Sequence, residues 1–395
     1  QAGTIVNLNS NPISPAQLEL GGDLVIGNTN GSGQVYMNNY MAKPLSVKGN
    51  LIVGSTSAAA NGSVLQLSTS IGGDLWLNGN FTRYPNGSYN DMDRAIFFKG
   101  GTNASINTPN VPITPGTPTQ YFSYAIMDKT NGKETVTLNC PVGIDHAMTF
   151  TKGILVSSAN HPLVFIDNST VGVSPLPSDS SFVNGPVKKI GDDPFIFPVG
   201  KALLAGPAGG GYRFIGISAP SQTTDAFTAE FMVASATSLG PIGNAGITRV
   251  SRCEYWKLDR TAGSSSVDVT LSWNARSNCN VSYVSDLPTL AIAHFNGTVW
   301  DVFGADATTG NETEGSITWN NVSNFSPFSL ASTDYLENLL PLNLSSFTAR
   351  NRKTDIAIDW MLTNNNDYDE FILERSKNGV RFETLKVVKA KVVLN

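Results

Sequence analysis

Leu18-Glu19-Leu20-Gly21-Gly22-Asp23-Leu24-Val25-Ile26 is the stretch that decides the fold of this chain. It returns as Leu45-Ser46-Val47-Lys48-Gly49-Asn50-Leu51-Ile52-Val53, and a third copy aligns at Thr69-Ser70-Ile71-Gly72-Gly73-Asp74-Leu75-Trp76-Leu77. On this alignment the central glycine steps by 27 (49 − 22) and then 24 (73 − 49) residues. A short strand recurring at such an interval is one turn of a solenoid; a single turn cannot bury its apolar side, but stacked turns can. Gly-Asp or Gly-Asn is expected to mark a corner with an unusual φ.

Short apolar alternations continue at Val136/Leu138, Val142/Ile144, Met148/Phe150 and Ile154/Val156. Alternation sets one side-chain row on one face, and Gly, Asn and Ser between the runs supply turns. No 3.6-residue apolar period is sustained. The sequence therefore predicts an all-β chain whose residues 1–205 form a parallel β-helix. Val25, Ile52 and Trp76 fall at outward positions and are more apolar than solvent requires. Either they form an exposed stripe or, as favoured here, another segment covers them; the turn-rich residues 81–120 are the expected cover.

A glycine-rich linker, Ala205-Gly206-Pro207-Ala208-Gly209-Gly210-Gly211, leads to residues 212–333. Strand candidates there are Tyr212–Ile217, Phe227–Val233, Glu254–Leu258, Val267–Trp273, Thr289–Phe295 and Ser316–Trp319. With Trp256, Trp273, Trp300 and Trp319 they read as a β-sandwich with a tryptophan-rich core. Residues 340–395 hold about four strands, where an immunoglobulin-type sandwich needs about seven. This last unit is expected to stop inside a domain unless another chain completes it.

Charged residues make up 14% of the chain, against about 25% in an average protein. Net charge is −5 with no Lys/Arg cluster, which argues against a phosphate-backbone partner. No apolar run is long enough to span a bilayer. The opening, Gln1-Ala2-Gly3 and then Thr4-Ile5-Val6, reads as a mature protein whose leader has been removed.

Several motifs resemble those of large secreted proteins of Bacteroidota. They are Phe182-Val183-Asn184-Gly185-Pro186-Val187, Phe197-Pro198-Val199-Gly200, Glu254-Tyr255-Trp256-Lys257-Leu258 and Phe325-Ser326-Pro327-Phe328-Ser329-Leu330. Leu340-Pro341-Leu342-Asn343-Leu344-Ser345-Ser346-Phe347 and Asn366-Asp367-Tyr368-Asp369-Glu370-Phe371-Ile372-Leu373-Glu374-Arg375-Ser376 resemble the immunoglobulin-like module that precedes the sorting domain of type IX secretion cargo. The resemblance implies export by the type IX secretion machinery to the cell surface or medium, and no specific activity. A terminal sorting domain, part of that pattern, is not seen after this module.

The residues offer little convergent chemistry. His146, His161 and His294 each sit in or beside an apolar strand and read as structural; no Gly-x-Ser-x-Gly elbow occurs. Asp91 and Asp93, with Arg94, form a carboxylate pair suited to calcium or to polysaccharide cleavage, and a solvated turn is the plainer alternative. Asp192-Asp193-Pro194 reads as a turn. Trp76 is the candidate glycan platform. Cys253 and Cys279, 26 residues apart (279 − 253), are disulfide candidates with Cys140 left over; three buried thiols is the alternative. No cofactor is required, and calcium is the one the sequence offers a place for.

The expectation is a non-catalytic, secreted or cell-surface adhesin or structural element that meets an extracellular glycan or other surface ligand. A polysaccharide-active lyase or hydrolase on the β-helix face and a self-associating subunit of an extracellular fibre are the alternatives.

Overall fold

The computed structural model describes residues 3–8, 17–202, 210–243, 246–275, 284–334, 338, 344–353, 355–362, 370–377 and 381–389. The chain is all-β, with a parallel solenoid of about seven turns followed by further sheets. It divides into two compact units, Gln1–Leu340 and Pro341–Asn395.

Three parallel ladders make the solenoid. In the first, Leu18, Leu45, Leu75, Ile96, Ala125 and Met148 stand in register. The second aligns Leu24, Leu51, Phe81, Ile106 and Leu138. The third pairs Thr4–Leu8, Gly33–Met37, Ser63–Gln66 and Gly87–Asn90. Inward side chains of all three meet in one continuous core that runs from Ile26 on into the following sheets.

This register corrects the third copy of the repeat. Leu75–Leu77 pairs with Leu45–Val47, so it is the first strand of its turn and not the second. The true third copy is Leu75-Trp76-Leu77-Asn78-Gly79-Asn80-Phe81-Thr82-Arg83, and the step from Asn50 to Asn80 is 30 residues. Side chains at the corner confirm the phase. Asp23 Oδ1 accepts from the Asn50 backbone N–H at 2.7 Å and its Nδ2 at 3.0 Å. Asn50 Oδ1 accepts from the Asn80 N–H at 2.8 Å, and Asn80 Oδ1 from the Ser105 N–H at 2.8 Å.

The corner glycines also act for a different reason than expected. Gly22, Gly49 and Gly79 do not have positive φ. Rungs of a parallel ladder lie about 4.8 Å apart, and at the corner the backbone of the preceding rung occupies the space a side chain would need. A Cβ on Gly49 would stand 2.6 Å from the Gly22 carbonyl carbon and 2.7 Å from the Asp23 nitrogen, whereas one on Gly22 would meet nothing within 4 Å. Gly49→Ala is therefore expected to cost about 1–3 kcal/mol by overpacking, and Gly22→Ala to be close to neutral. Denaturant titration of the two variants compares them directly.

Residues 81–107 are not a cover but further rungs: Phe81–Arg83, Gly87–Asn90, Ala95–Phe98 and Ala104–Asn107 all join the ladders. Val25 accordingly stays 52% exposed. Only about 108–119 is an excursion, and it lies elsewhere, with Pro118 against Gly143.

Val187–Ile190 is where the architecture changes. It pairs parallel with Leu163–Phe165 on one side and antiparallel with Ala226–Met232 on the other. The sheet then continues antiparallel through Tyr255–Ala262, Phe328–Ser332, Leu290–Phe295 and Trp300–Gly304. A second antiparallel sheet runs Phe195–Phe197, Ile215–Ile217, Val267–Trp273, Gly315–Val322 and Ala307–Gly310. Phe231, Trp256, Leu258, Val269, Leu271, Ile317 and Leu330 from the two sheets join the same core. Every strand candidate read from 212–333 has an observed counterpart. The buried indoles find acceptors: Trp256 Nε1 donates to Arg213 O and Trp300 Nε1 to Ala236 O, both at 3.1 Å. Residues 205–209 of the expected linker lie outside the described residues, and strands from both sides of it share these sheets.

In the second unit, Leu344–Arg352 pairs antiparallel with Asp355–Leu362, and Glu370–Ser376 with Phe382–Lys389. The Trp360 and Phe371 rings meet edge to face, 6.0 Å between centroids.

Candidate functional site

The Asp91/Asp93 pair lies in a tight turn between Gly87–Asn90 and Ala95–Phe98. Met92 and Asp93 have φ of 53° and 57°, and the Arg94 N–H donates to Asp91 O at 2.9 Å. Two consecutive positive φ values with an i to i+3 bond are the pattern of a mirror-image type I turn. Aspartate tolerates that backbone, but methionine does so at a steric cost.

Asp91 is committed to the next rung. Its Oδ2 accepts from the Ser123 N–H at 2.7 Å, and its Oδ1 from Ser123 Oγ at 2.9 Å and the Asp93 N–H at 3.3 Å. Arg94 folds back, its Nε donating to Met92 O at 3.3 Å. The pair thus ties the turn to strand Gln120–Asp128.

That strand carries the neighbouring groups. Phe122 is opposite Ile144 but Tyr124 is opposite Ala147, so Asp145 and His146 together face Ser123. This is a β-bulge, a device that re-aims side chains at the edge of functional surfaces. His146 reaches solvent and stacks on Tyr124 with ring centroids 5.0 Å apart and planes 23° from parallel. Tyr121 lies over Gly143, where a Cβ would collide with its ring at 2.6 Å from Cε1. Both tyrosines are among the exposed large side chains. Burial and then the nearby Asp91 raise the Asp145 pKa above the usual carboxylate value; Asp93 adds to the rise and His146 opposes it. Burial and Asp145 raise the Tyr121 phenol. The turn and bulge therefore gather three carboxylates, an imidazole and two phenol rings around one corner of the solenoid.

The other sequence candidates fall apart from this group. Trp76 stands in the outward row beside Phe97, and Lys99 Nζ sits 4.8 Å above its ring centroid while pairing with Asp128. One indole face is thus already covered by a cation. Carboxylates do converge at Asp167, Asp192 and Asp193, whose oxygens lie within 4.8 Å of one another. Lys189 supplies a cation there: its buried Nζ donates to Asp193 at 3.0 Å, Ile166 O at 2.8 Å and Ser169 O at 3.1 Å. That pairing holds the Asp193 carboxyl below its ordinary pKa. Cys140 is buried and free. Cys253 is in a disulfide; Cys279, its expected partner, lies outside the described residues. His294 is buried against Phe328, and burial lowers its pKa.

Sequence reasoning missed Tyr121, Tyr124 and Asp145 and read His146 as structural. The signal was present: strict alternation from Val142 to Phe150 places His146 on the inward row, a position an imidazole leaves only through a bulge.

The chain matches no protein-family model, no curated protein and no solved structure.

Proposed function

We propose that this chain is a non-catalytic, exported surface protein whose solenoid presents a lateral face to extracellular glycans. The observation that carries the reading is the Tyr121–Tyr124–His146 platform with Asp145 beside it. Two exposed rings held by a rigid ladder offer flat apolar faces to sugar C–H groups, while carboxylates accept from hydroxyls. The Asp91 carboxylate is spent on Ser123, which favours binding over cleavage at this place. A fold of this kind carries enzymes as readily as binders, so the site and not the fold supports the reading. Surface placement draws on the motif resemblance at 182–200 and 340–376 and on the sparse surface charge.

A glycan array on the purified chain, scored for binding and for release of reducing ends, tests this. Binding without release is expected, and Tyr124→Ala is expected to weaken it about three- to tenfold, the worth of one aromatic contact. Release that disappears in Asp91→Ala would move the assignment to a polysaccharide-active enzyme. Absence of any glycan binding would overturn it.

A further inference from the structure

A second site lies on the outward face of the same sheet, where the solenoid passes into the antiparallel strands. Tyr121, Gly143, Val164, Lys188, Thr228 and Asp259 form one cross-strand row. Three ladder steps separate Tyr121 from Lys188, about 14 Å at the usual strand spacing. Around Lys188 the surface sinks into an open groove of about 500 Å3.

Pro115 from the 108–119 excursion, Pro162 and Pro186 supply its apolar walls. Lys188 is half-buried, and its Nζ donates one long hydrogen bond, 3.4 Å, to Gly116 O. Among the described residues it forms no ion pair. Burial accordingly lowers its pKa. Lys257, by contrast, has Glu230 at 3.9 Å, and Asp259 is exposed. The groove therefore has an uncompensated ammonium and, around it, carboxylates and the Thr228 hydroxyl.

We propose that this groove binds the carboxylate of an acidic sugar within an extended polysaccharide, with Lys188 as its anchor. An ammonium with unused donors in a partly desolvated site pairs well with a carboxylate. Glu230 and Asp259 then accept from ring hydroxyls of the same or the adjoining sugar, and Thr228 both donates and accepts. An acidic peptide is the weaker fit. The groove is on a sheet face whose backbone is consumed by pairing on both sides of Val187–Ile190, so an extended peptide finds no strand edge to join. This inference rests on the glycan-binding reading and adds uronate selectivity to it.

Calorimetric titration of the full chain with a galacturonate hexamer, a neutral galactose hexamer and a glutamate hexamer separates the outcomes. Tightest binding of the galacturonate hexamer is expected, weakening with added salt. Lys188→Gln, which keeps a donor for Gly116, is expected to weaken it about tenfold or more, the worth of a charged hydrogen bond. Lys188→Arg is expected to retain most of the affinity. Equal galacturonate affinity in Lys188→Gln and the parent would overturn the proposal, as would a preference for the glutamate peptide. Tyr124-dependent binding of neutral glycans without any uronate preference would remove this groove and leave the surface-binding function standing. Failure with every saccharide would remove both.

Discussion

Arg213→Ala is expected to destabilise the first unit by about 3–5 kcal/mol, the usual cost of stranding one member of a buried ion pair. Arg213 and Glu254 are both fully buried, with Nε and Oε2 3.6 Å apart. Arg213 Nη1 also donates to Tyr212 O at 2.7 Å, and Arg213 O receives the Trp256 indole N–H. Removing the guanidinium takes away the cation 3.6 Å from the fully buried Glu254 carboxylate. Removing both charges is a different experiment. Arg213→Met with Glu254→Leu is expected to recover most of the loss, because well-packed apolar pairs often equal or exceed a buried ion pair. Intrinsic tryptophan fluorescence during denaturant titration, to which Trp256, Trp273, Trp300 and Trp319 all contribute, follows mainly the antiparallel sheets, which matters because stacked repeats need not unfold in one step. A single variant as stable as the parent would show that the pair contributes nothing.

Phe122→Ala is expected to cost about 3–5 kcal/mol in the solenoid, the range for emptying a buried phenylalanine site. Phe122 is in the middle of a ring cluster inside the coil. Its centroid lies 5.2 Å from Phe81, 5.9 Å from Tyr89 and 6.0 Å from Phe98, all edge to face. These rings come from several successive rungs, so the cavity would touch the stacking of each. Phe122→Leu keeps most of the volume and is expected to lose less than half as much. Hydrogen exchange at the Ile96 and Ile106 amides checks whether neighbouring rungs loosen with it. Unchanged protection there would mean that the rungs are held by their ladders and corner bonds alone.

The solenoid was legible because its physics is local and repeated: apolar alternation sets the faces, and Gly-Asp or Gly-Asn sets the corner. The phase of the third turn was not. Ile71-Gly72-Gly73-Asp74 imitates the corner, with Gly72 at φ 88°, and only the pairing of Leu75 with Leu45 shows that it precedes the first strand. Residues 81–107 escaped because turn-rich composition looks the same in a loop and in a tightly wound rung. The candidate site was half legible. Asp91 and Asp93 stood out as neighbours in sequence, but Asp145 and His146 join them through a bulge between strands, and no spacing rule reports a bulge. The groove around Lys188 was invisible for the same reason, since its walls come from 115, 162 and 186.

The Asp23–Asn50–Asn80–Ser105 corner chain also shapes how the solenoid bears load. From Asp23 to Ser105 this chain bonds each rung to the one before and the one after it, so tension applied at its ends peels these rungs singly and does not shear them together. One rung, 25, 27 or 30 residues, pays out roughly 80–100 Å of slack at full extension. A solenoid built this way lengthens in instalments under a sudden pull, and the rungs not yet reached keep their outward faces intact.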